Sequence, residues 1–405
     1  MQLHNVCELI VDCEHKTAPT QETGHPSIRT PNIGRGYFIL DGVNRVSEDT
    51  YKLWTRRAVP RPGDLIMARE APVGNVAMIP VGLSPCLGQR TLLIRPNRSS
   101  VEPAFLNYFL NGPYVQQLIH AKTNGVTVPH LNMEDVRTME LPELPPLPVQ
   151  RRIAGILSAY DDLIENCQKR IKILETMARA LYREWFVHFR FPGHENVPLV
   201  PSPLGEIPHV WKVKRVPECV DISPRVAVPR DGVKPFVPMG CLSNDSMLIT
   251  DIESRAGNSG AKFQNGDTLF ARITPCLENG KTGFVQFLPD AQTVGFGSTE
   301  FIVLRSRTLT PEFVYLLARS EEFRGVAIKS MSGATGRQRV QEQCFDDFRI
   351  AQPPRALLDL FSDIVAPSFR LIYKLHLQIQ NLRQTRDLLL PRLLSGQTNL
   401  KKDIT

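Results

Sequence analysis

The chain contains itself twice. The stretch from Pro103 to Leu110 returns as Pro311 to Ala318, an offset of 311 − 103 = 208 residues. The same offset relates Gly125 to Gly333, Pro146 to Pro354, Ile171 to Ile379 and Leu174 to Leu382. Upstream, Pro62–Arg69 corresponds to Asn265–Arg272 with the offset at 272 − 69 = 203. The register therefore reads as gapless from Pro103 onward and as drifting before it. A period of half the chain means two similar modules rather than a solenoid. Two similar modules in one polypeptide predict a body that grips something with two ends.

Composition sets outer limits on that body. At 405 residues the chain is too long for one core. Its net charge of +7 and pI near 9.0 favour an anionic partner. No run of eighteen apolar residues occurs, and the start lacks a basic stretch followed by an apolar one. The expectation is a protein without membrane span or signal peptide, in the cytoplasm. None of the eight cysteines forms a Cys-x-x-Cys pair, and their neighbours are often apolar, as at Val6-Cys7 and Cys344-Phe345. That suits reduced, buried thiols rather than a disulfide framework.

Each half shows the same succession of textures. Short β-like runs come first, at Gly36–Leu40, Asp64–Ala68, Asn75–Ile79 and Arg90–Arg95, then again at Asp267–Ala271, Gly283–Leu288 and Thr299–Arg305. Turn formers between them predict a mixed sheet with irregular loops. One short helix follows in each half, Pro103–His120 and Pro311–Lys329, with Pro where a first turn tolerates it. Then the texture changes. Leu141–Pro148 is an extended Pro-rich joint that opens onto Val149–Phe189, a proline-free stretch with apolar residues at Ile153, Ile156, Leu157, Leu163, Ile171, Leu174 and Leu181. Spacings of three and four describe one stripe on a long helix. The second half answers with Leu357, Leu360, Phe361, Ile364, Leu375, Ile379, Leu382 and Leu389, interrupted at Pro367, where a kink or break is expected. A lone helix of forty residues needs a partner for its stripe, and the other helix is the simplest one. The fold class is therefore α+β: two globular mixed α/β modules separated by two long helices paired as an antiparallel coiled coil.

With the repeat in place, particular strings carry a resemblance. Gly63–Ala77, Leu87–Pro96, Phe270–Lys281, Gly297–Arg305 and Leu144–Leu157 together resemble the specificity subunit of type I restriction-modification systems, across essentially the whole chain. The resemblance implies target-recognition domain 1 at 1–145, a central long helix at 146–198, target-recognition domain 2 at 199–350, and a distal helix and tail at 351–405. It implies sequence-specific recognition of a bipartite, asymmetric double-stranded DNA target without catalysis by this chain. Methyltransferase subunits would dock on the helices, at Ile156, Leu163, Ile171, Leu174, Leu181, Leu375, Ile379, Leu382 and Leu389. Restriction or motor subunits would join them. S-adenosylmethionine, ATP and Mg would sit on those partners, for adenine-N6 methylation or ATP-dependent cleavage. The chain departs from the family where Ile207-Pro208-His209-Val210-Trp211 carries Val210 in place of glycine, and the first half lacks that element.

Reading duplex DNA needs charged and hydrogen-bonding side chains on loops, since phosphates give affinity and base edges give sequence. Arg can bind guanine O6 and N7 bidentately, and Asn or Gln can do so on adenine. The loop candidates are Arg69, Gln89, Arg90, Lys122, Thr123, Asn124 and His130 in the first module. In the second they are Arg272, Glu278, Asn279, Lys281, Arg337, Gln338 and Arg339. Arg69 and Arg272 hold equivalent places, so they suit phosphate contact or framework. Positions that differ between halves suit base choice, and the 208-residue offset sets His130 and Leu131 against Gln338 and Arg339. Other motifs fail. Gln352-Pro353-Pro354-Arg355 lacks the amide and aromatic of an amino-methyltransferase signature, Gly333–Gly336 lacks the lysine of a P-loop, and His188–His194 has no third metal ligand. Two rivals stay open: the recognition subunit of a two-component system with a fused methyltransferase-nuclease, and a scaffolding protein whose repeat binds proteins.

Overall fold

A computed structural model of the chain describes residues 1–123, 129–229, 231–334 and 336–396. It divides into two compact units, Met1–Ile164 with Asn381–Thr405, and Glu165–Gln380.

The first unit is built on a four-stranded antiparallel sheet in the order Cys7–Asp12, Thr91–Pro96, Leu65–Ala68, Val76–Met78. Strand Leu65–Ala68 is buried at every position, which is why it reads as a continuous apolar run rather than an alternation. A three-stranded mixed sheet joins His25–Ile28 to Arg45–Val46 and to Cys86–Leu87, the last pair parallel. Behind the main sheet, Phe105, Leu106, Phe109 and Leu110 pack with Leu65, Met67, Leu92 and Ile94 in one apolar core.

The second unit repeats that plan. Its main sheet runs Val220–Ile222, Phe301–Ser306, Thr268–Ala271, Thr282–Phe284, again antiparallel. Its mixed sheet has four strands, Glu253–Ala256, Val233–Val237, Gly295–Gly297 and Ala261–Phe263, with the second and third parallel. The two sequence halves thus share the topology of the main sheet, and the second mixed sheet carries one strand more.

Each short helix of the sequence reading is in fact two. Pro103–Asn111 and Pro113–Ala121 are separated at Gly112, and Pro311–Arg319 and Glu321–Lys329 at Ser320. Gly112 precedes a proline and sits at ψ 151°, where the ring ahead of it disfavours helix. Ser320 ends one helix and caps the next, its side chain accepting from the Phe323 amide.

The first long helix spans Leu147–Tyr182 and runs on through a π-turn, Arg183–Val187. The second spans Arg355–Leu394, uninterrupted at Pro367, so the expected break is absent. Pro367 faces solvent, while Phe361, Val365, Phe369 and Ile372 on the other face are buried. The lost backbone bond therefore falls where water can satisfy the freed carbonyl, and the buried face holds the helix.

The helices meet in opposite directions. In the first unit, Ile153, Ala154 and Leu157 near the start of one share a core with Leu393 at the end of the other. Asp161 there accepts from the Tyr108 hydroxyl at 2.5 Å and from Arg386 at 2.5 Å. In the second unit, Trp185 and Phe186 at the end of the first helix lie 5.8 and 4.8 Å from Phe361 near the start of the second. That is the antiparallel pairing expected from the two stripes. Among the described residues no helix is long and apolar enough to cross a membrane.

Candidate nucleic-acid interface

The candidate loops hang from a shared frame. Asp64 accepts from Arg95 through Nε at 2.9 Å and Nη2 at 2.7 Å, and Asp267 from Arg305 at 2.7 and 2.6 Å. Each aspartate also takes a turn amide, Arg61 N or Gln264 N. The Asp64 and Asp267 side chains are 4% and 2% exposed, so both are buried charges matched by bidentate guanidinium. The glycine before each, Gly63 or Gly266, sits at φ +91°, a left-handed turn that a side chain would strain.

One residue past each frame strand stands an arginine. Arg69 donates Nε to the Leu131 carbonyl at 2.9 Å and Nη1 to Asp12 at 2.6 Å. Arg272 donates Nη2 to the Val340 carbonyl at 2.8 Å and Nη1 to Glu342 at 3.1 Å. Both thus tie the strand end to the segment that leads toward the long helix. Their counter-charges come from different places, the first strand in one module and the far segment in the other. The two arginine side chains are 16% and 24% exposed.

Backbone bonds refine the repeat register. Leu131 N donates to Arg69 O and Val340 N to Arg272 O, so Leu131 matches Val340 at an offset of 340 − 131 = 209. Leu3 N to Met139 O and Val216 N to Phe348 O repeat that value, 348 − 139 = 209. The offset of 208 holds at Lys122 and Ser330, which close equivalent helices, and again at Pro146 and Pro354. The second module therefore carries one more residue in the loop between, and His130 stands opposite Arg339, not Gln338. The gapless register read from the sequence is corrected here: a one-residue loop insertion, later cancelled, escapes a comparison of strings.

The other candidates divide by what holds them. Gln89 reaches the His15 carbonyl at 3.4 Å, and Lys281 the Met239 carbonyl at 3.2 Å. Arg90, at φ +65°, is 62% exposed and pairs with Glu70 at 2.9 Å. Arg339 pairs with Glu300. The side chains of Lys122, His130, Asn279, Arg337 and Gln338 have no hydrogen bond or ion pair among the described residues, and Asn279 and Arg337 are exposed. Thr123 caps its helix through the His120 carbonyl. Asn124 lies outside the described residues.

Two arginines that the sequence reading passed over clamp a candidate loop. Arg319 donates to the Gly280 and Asn244 carbonyls at 3.1 and 3.0 Å. Arg324 donates to those of Leu277 and Glu278 at 3.2 and 3.0 Å. Burial, then repulsion from Arg319, pulls the Arg324 guanidinium below its ordinary pKa. Nothing local marks them, because their targets are main-chain carbonyls 39 to 75 residues upstream. In the second module a cavity of about 740 Å³ is lined by residues that include Arg225, Lys262, Arg272, Thr299 and Glu342. In the first module Asp12, Cys13 and His15 come within 4.8 Å of one another, but Asp12 already accepts from Arg69 and His15.

Of the helix positions expected to dock partners, Ile171, Leu375 and Ile379 are buried at 8%, 2% and 5% exposure and face the chain's own core. Ile156, Leu174, Leu181, Leu382 and Leu389 are half-buried, and Leu163 is exposed. The apolar side chains that solvent reaches are Leu163, Ile173 and Met177 on the first helix and Leu360, Ile364, Leu377 and Leu388 on the second. The stripe that periodicity detects therefore mixes residues that pack inward, such as Ile171 and Ile379, with Leu163, which solvent reaches.

Residues 2–176 match the family model for the type I restriction modification DNA specificity domain. The type I restriction enzyme MjaIX specificity subunit of Methanocaldococcus jannaschii is 26% identical over 379 residues, which is 90% of this chain and 84% of that one. The HindI specificity subunit of Haemophilus influenzae is 23% identical over 370 residues, covering 76% and 80%. The EcoEI specificity subunit of Escherichia coli is 31% identical over 156 residues, covering 37% of this chain and 26% of that one. A crystal structure of the S subunit of a type I restriction-modification system from M. genitalium shares the fold, with a TM-score of 0.57 over 97% of this chain and 95% of that one, at 13% identity. A chain of two like-folded modules on two long antiparallel helices is thus similar along nearly its whole length to type I restriction-modification specificity subunits, and its residues 2–176 match the DNA specificity domain of that family.

Proposed function

We propose that this chain recognises a bipartite, asymmetric DNA sequence, one module reading each half-site, and carries no catalysis of its own. The observation that carries the reading is a repeated frame with unlike loops. Asp64–Arg95 and Arg69 recur as Asp267–Arg305 and Arg272, while the residues displayed beside them differ. Sameness holds the scaffold, and difference is what an asymmetric target demands. Arg337 and Lys122, without an ion pair among the described residues, suit phosphate, whereas Gln338, Asn279 and His130 suit base edges. The curated relatives are named as specificity subunits of type I restriction enzymes. By that likeness, methyltransferase subunits that use S-adenosylmethionine would dock on exposed helix faces, and ATP- and Mg-dependent motor subunits would complete the complex. Adenine methylation takes the base out of the stack, a task for the partner while this chain holds the flanks.

The test is methyl transfer to duplex DNA by the purified chain alone and by the chain with its copurifying subunits. The reading predicts transfer only with the partners, at adenines in a two-part motif. Transfer by the chain alone would overturn the non-catalytic assignment. Copurification of one fused partner would instead identify a two-component system.

A further inference from the structure

The corrected register sets two positions of the second module against two of the first. Arg272 N donates to Glu300 O and Arg69 N to Arg90 O, so Glu300 stands where Arg90 does. Val340 and Leu131 match, so Arg339 stands where His130 does. At one place in a common frame, the second module holds a carboxylate and a guanidinium, and the first holds a guanidinium and an imidazole.

The second pair is locked in a particular way. Arg339 Nε donates to Glu300 Oε1 and Oε2 at 3.0 and 2.9 Å, and Nη2 to Oε1 at 2.7 Å. Its backbone is pinned too, through reciprocal bonds with Ser332 at 2.9 and 3.1 Å. The contact uses the Nε–Nη2 side of the guanidinium. The end-on fork, Nη1 with the second Nη2 hydrogen, makes no bond among the described residues, and the side chain is 48% exposed. That fork is the geometry that spans O6 and N7 of guanine. A pair with little net charge gains little from counterion release, so it is poorly suited to holding phosphate. It keeps directional donors at reduced entropic cost, which suits a base edge. Among the described residues of the first module no such side-chain pair occurs at these positions. Arg90 leans on Glu70, in the loop that follows strand Leu65–Ala68, and His130 has no side-chain bond among the described residues.

Resting on the recognition role proposed above, we propose that Arg339, aimed by Glu300, is a specificity-determining residue that reads one guanine in the half-site of the second module. Exposed pairs contribute little to stability, so a structural role alone gives the pair little to do.

The experiment is selection of bound duplexes from a randomised pool by the complex of this chain with its copurifying subunits, for wild type, Arg339→Ala, Arg339→Lys and Glu300→Gln, with the melting temperature of each. The expected result is a two-part wild-type motif and a guanine preference that falls about 10- to 100-fold at one position in Arg339→Ala, the other half-site and the melting temperature being unchanged. Glu300→Gln keeps a partial preference but binds random DNA more tightly with a steeper salt slope, because a cation is uncovered. A wild-type motif left intact by Arg339→Ala overturns the proposal and leaves the recognition role standing. No wild-type motif at all overturns both. Should Arg339→Ala melt early, Arg339→Lys decides: guanine preference lost with the fold intact supports the fork, and preference kept overturns it.

Discussion

At the scale of single residues, the chemistry of the loops separates side chains that hold from side chains that are offered. Asp64 is a buried acceptor for a bidentate arginine, and its removal strands the Arg95 guanidinium at 12% exposure. Asp64→Ala is expected to lower stability by about 3–5 kcal/mol, read as a shifted urea midpoint at unchanged slope. Arg337 is the opposite case, exposed and without an ion pair among the described residues. Arg337→Ala should leave the melting temperature unchanged, weaken binding of all DNA sequences alike, and reduce the slope of log affinity against log salt by about 1. Sequence alone named Arg69, Arg272 and Arg337 together as loop cations. It left the first two between phosphate contact and framework, because the carbonyls of Leu131 and Val340 that tie them down lie far along the chain.

At the scale of elements, the two long helices were legible because each spends a stripe of apolar residues every three or four positions. Their inner and outer faces were not, since the stripes include the buried Ile171 and Ile379 but also Leu163, Leu360 and Ile364, which solvent reaches. Trp185 and Phe186 reach inward through the π-turn that ends the first helix, with Phe186 4.8 Å from both Phe313 and Phe361. Trp185→Ala should destabilise the second unit by about 3–5 kcal/mol in chemical denaturation. Pro367 was expected to break the second helix and does not. Its ring removes one backbone donor at an exposed site, so Pro367→Ala is expected to raise stability by about 1–3 kcal/mol in the same measurement. The paired short helices were merged in the sequence reading because Gly112 and Ser320 interrupt helical backbone without interrupting the apolar pattern.

For the molecule as a whole, one frame built twice and displaying different loops is the physical basis for reading two unlike half-sites. The repeat revealed the architecture from strings such as Pro103–Leu110 and Pro311–Ala318. It hid the single loop insertion that moves His130 from Gln338 to Arg339, because insertions fall in loops, where side chains differ anyway. The central claim is most directly tested by the sequences that the complete complex selects from randomised duplex DNA. Two short blocks separated by a fixed unread spacer are predicted, with exchange of residues 199–350 for those of a relative altering one block only. A single block, or salt-sensitive binding without sequence preference, would contradict the account.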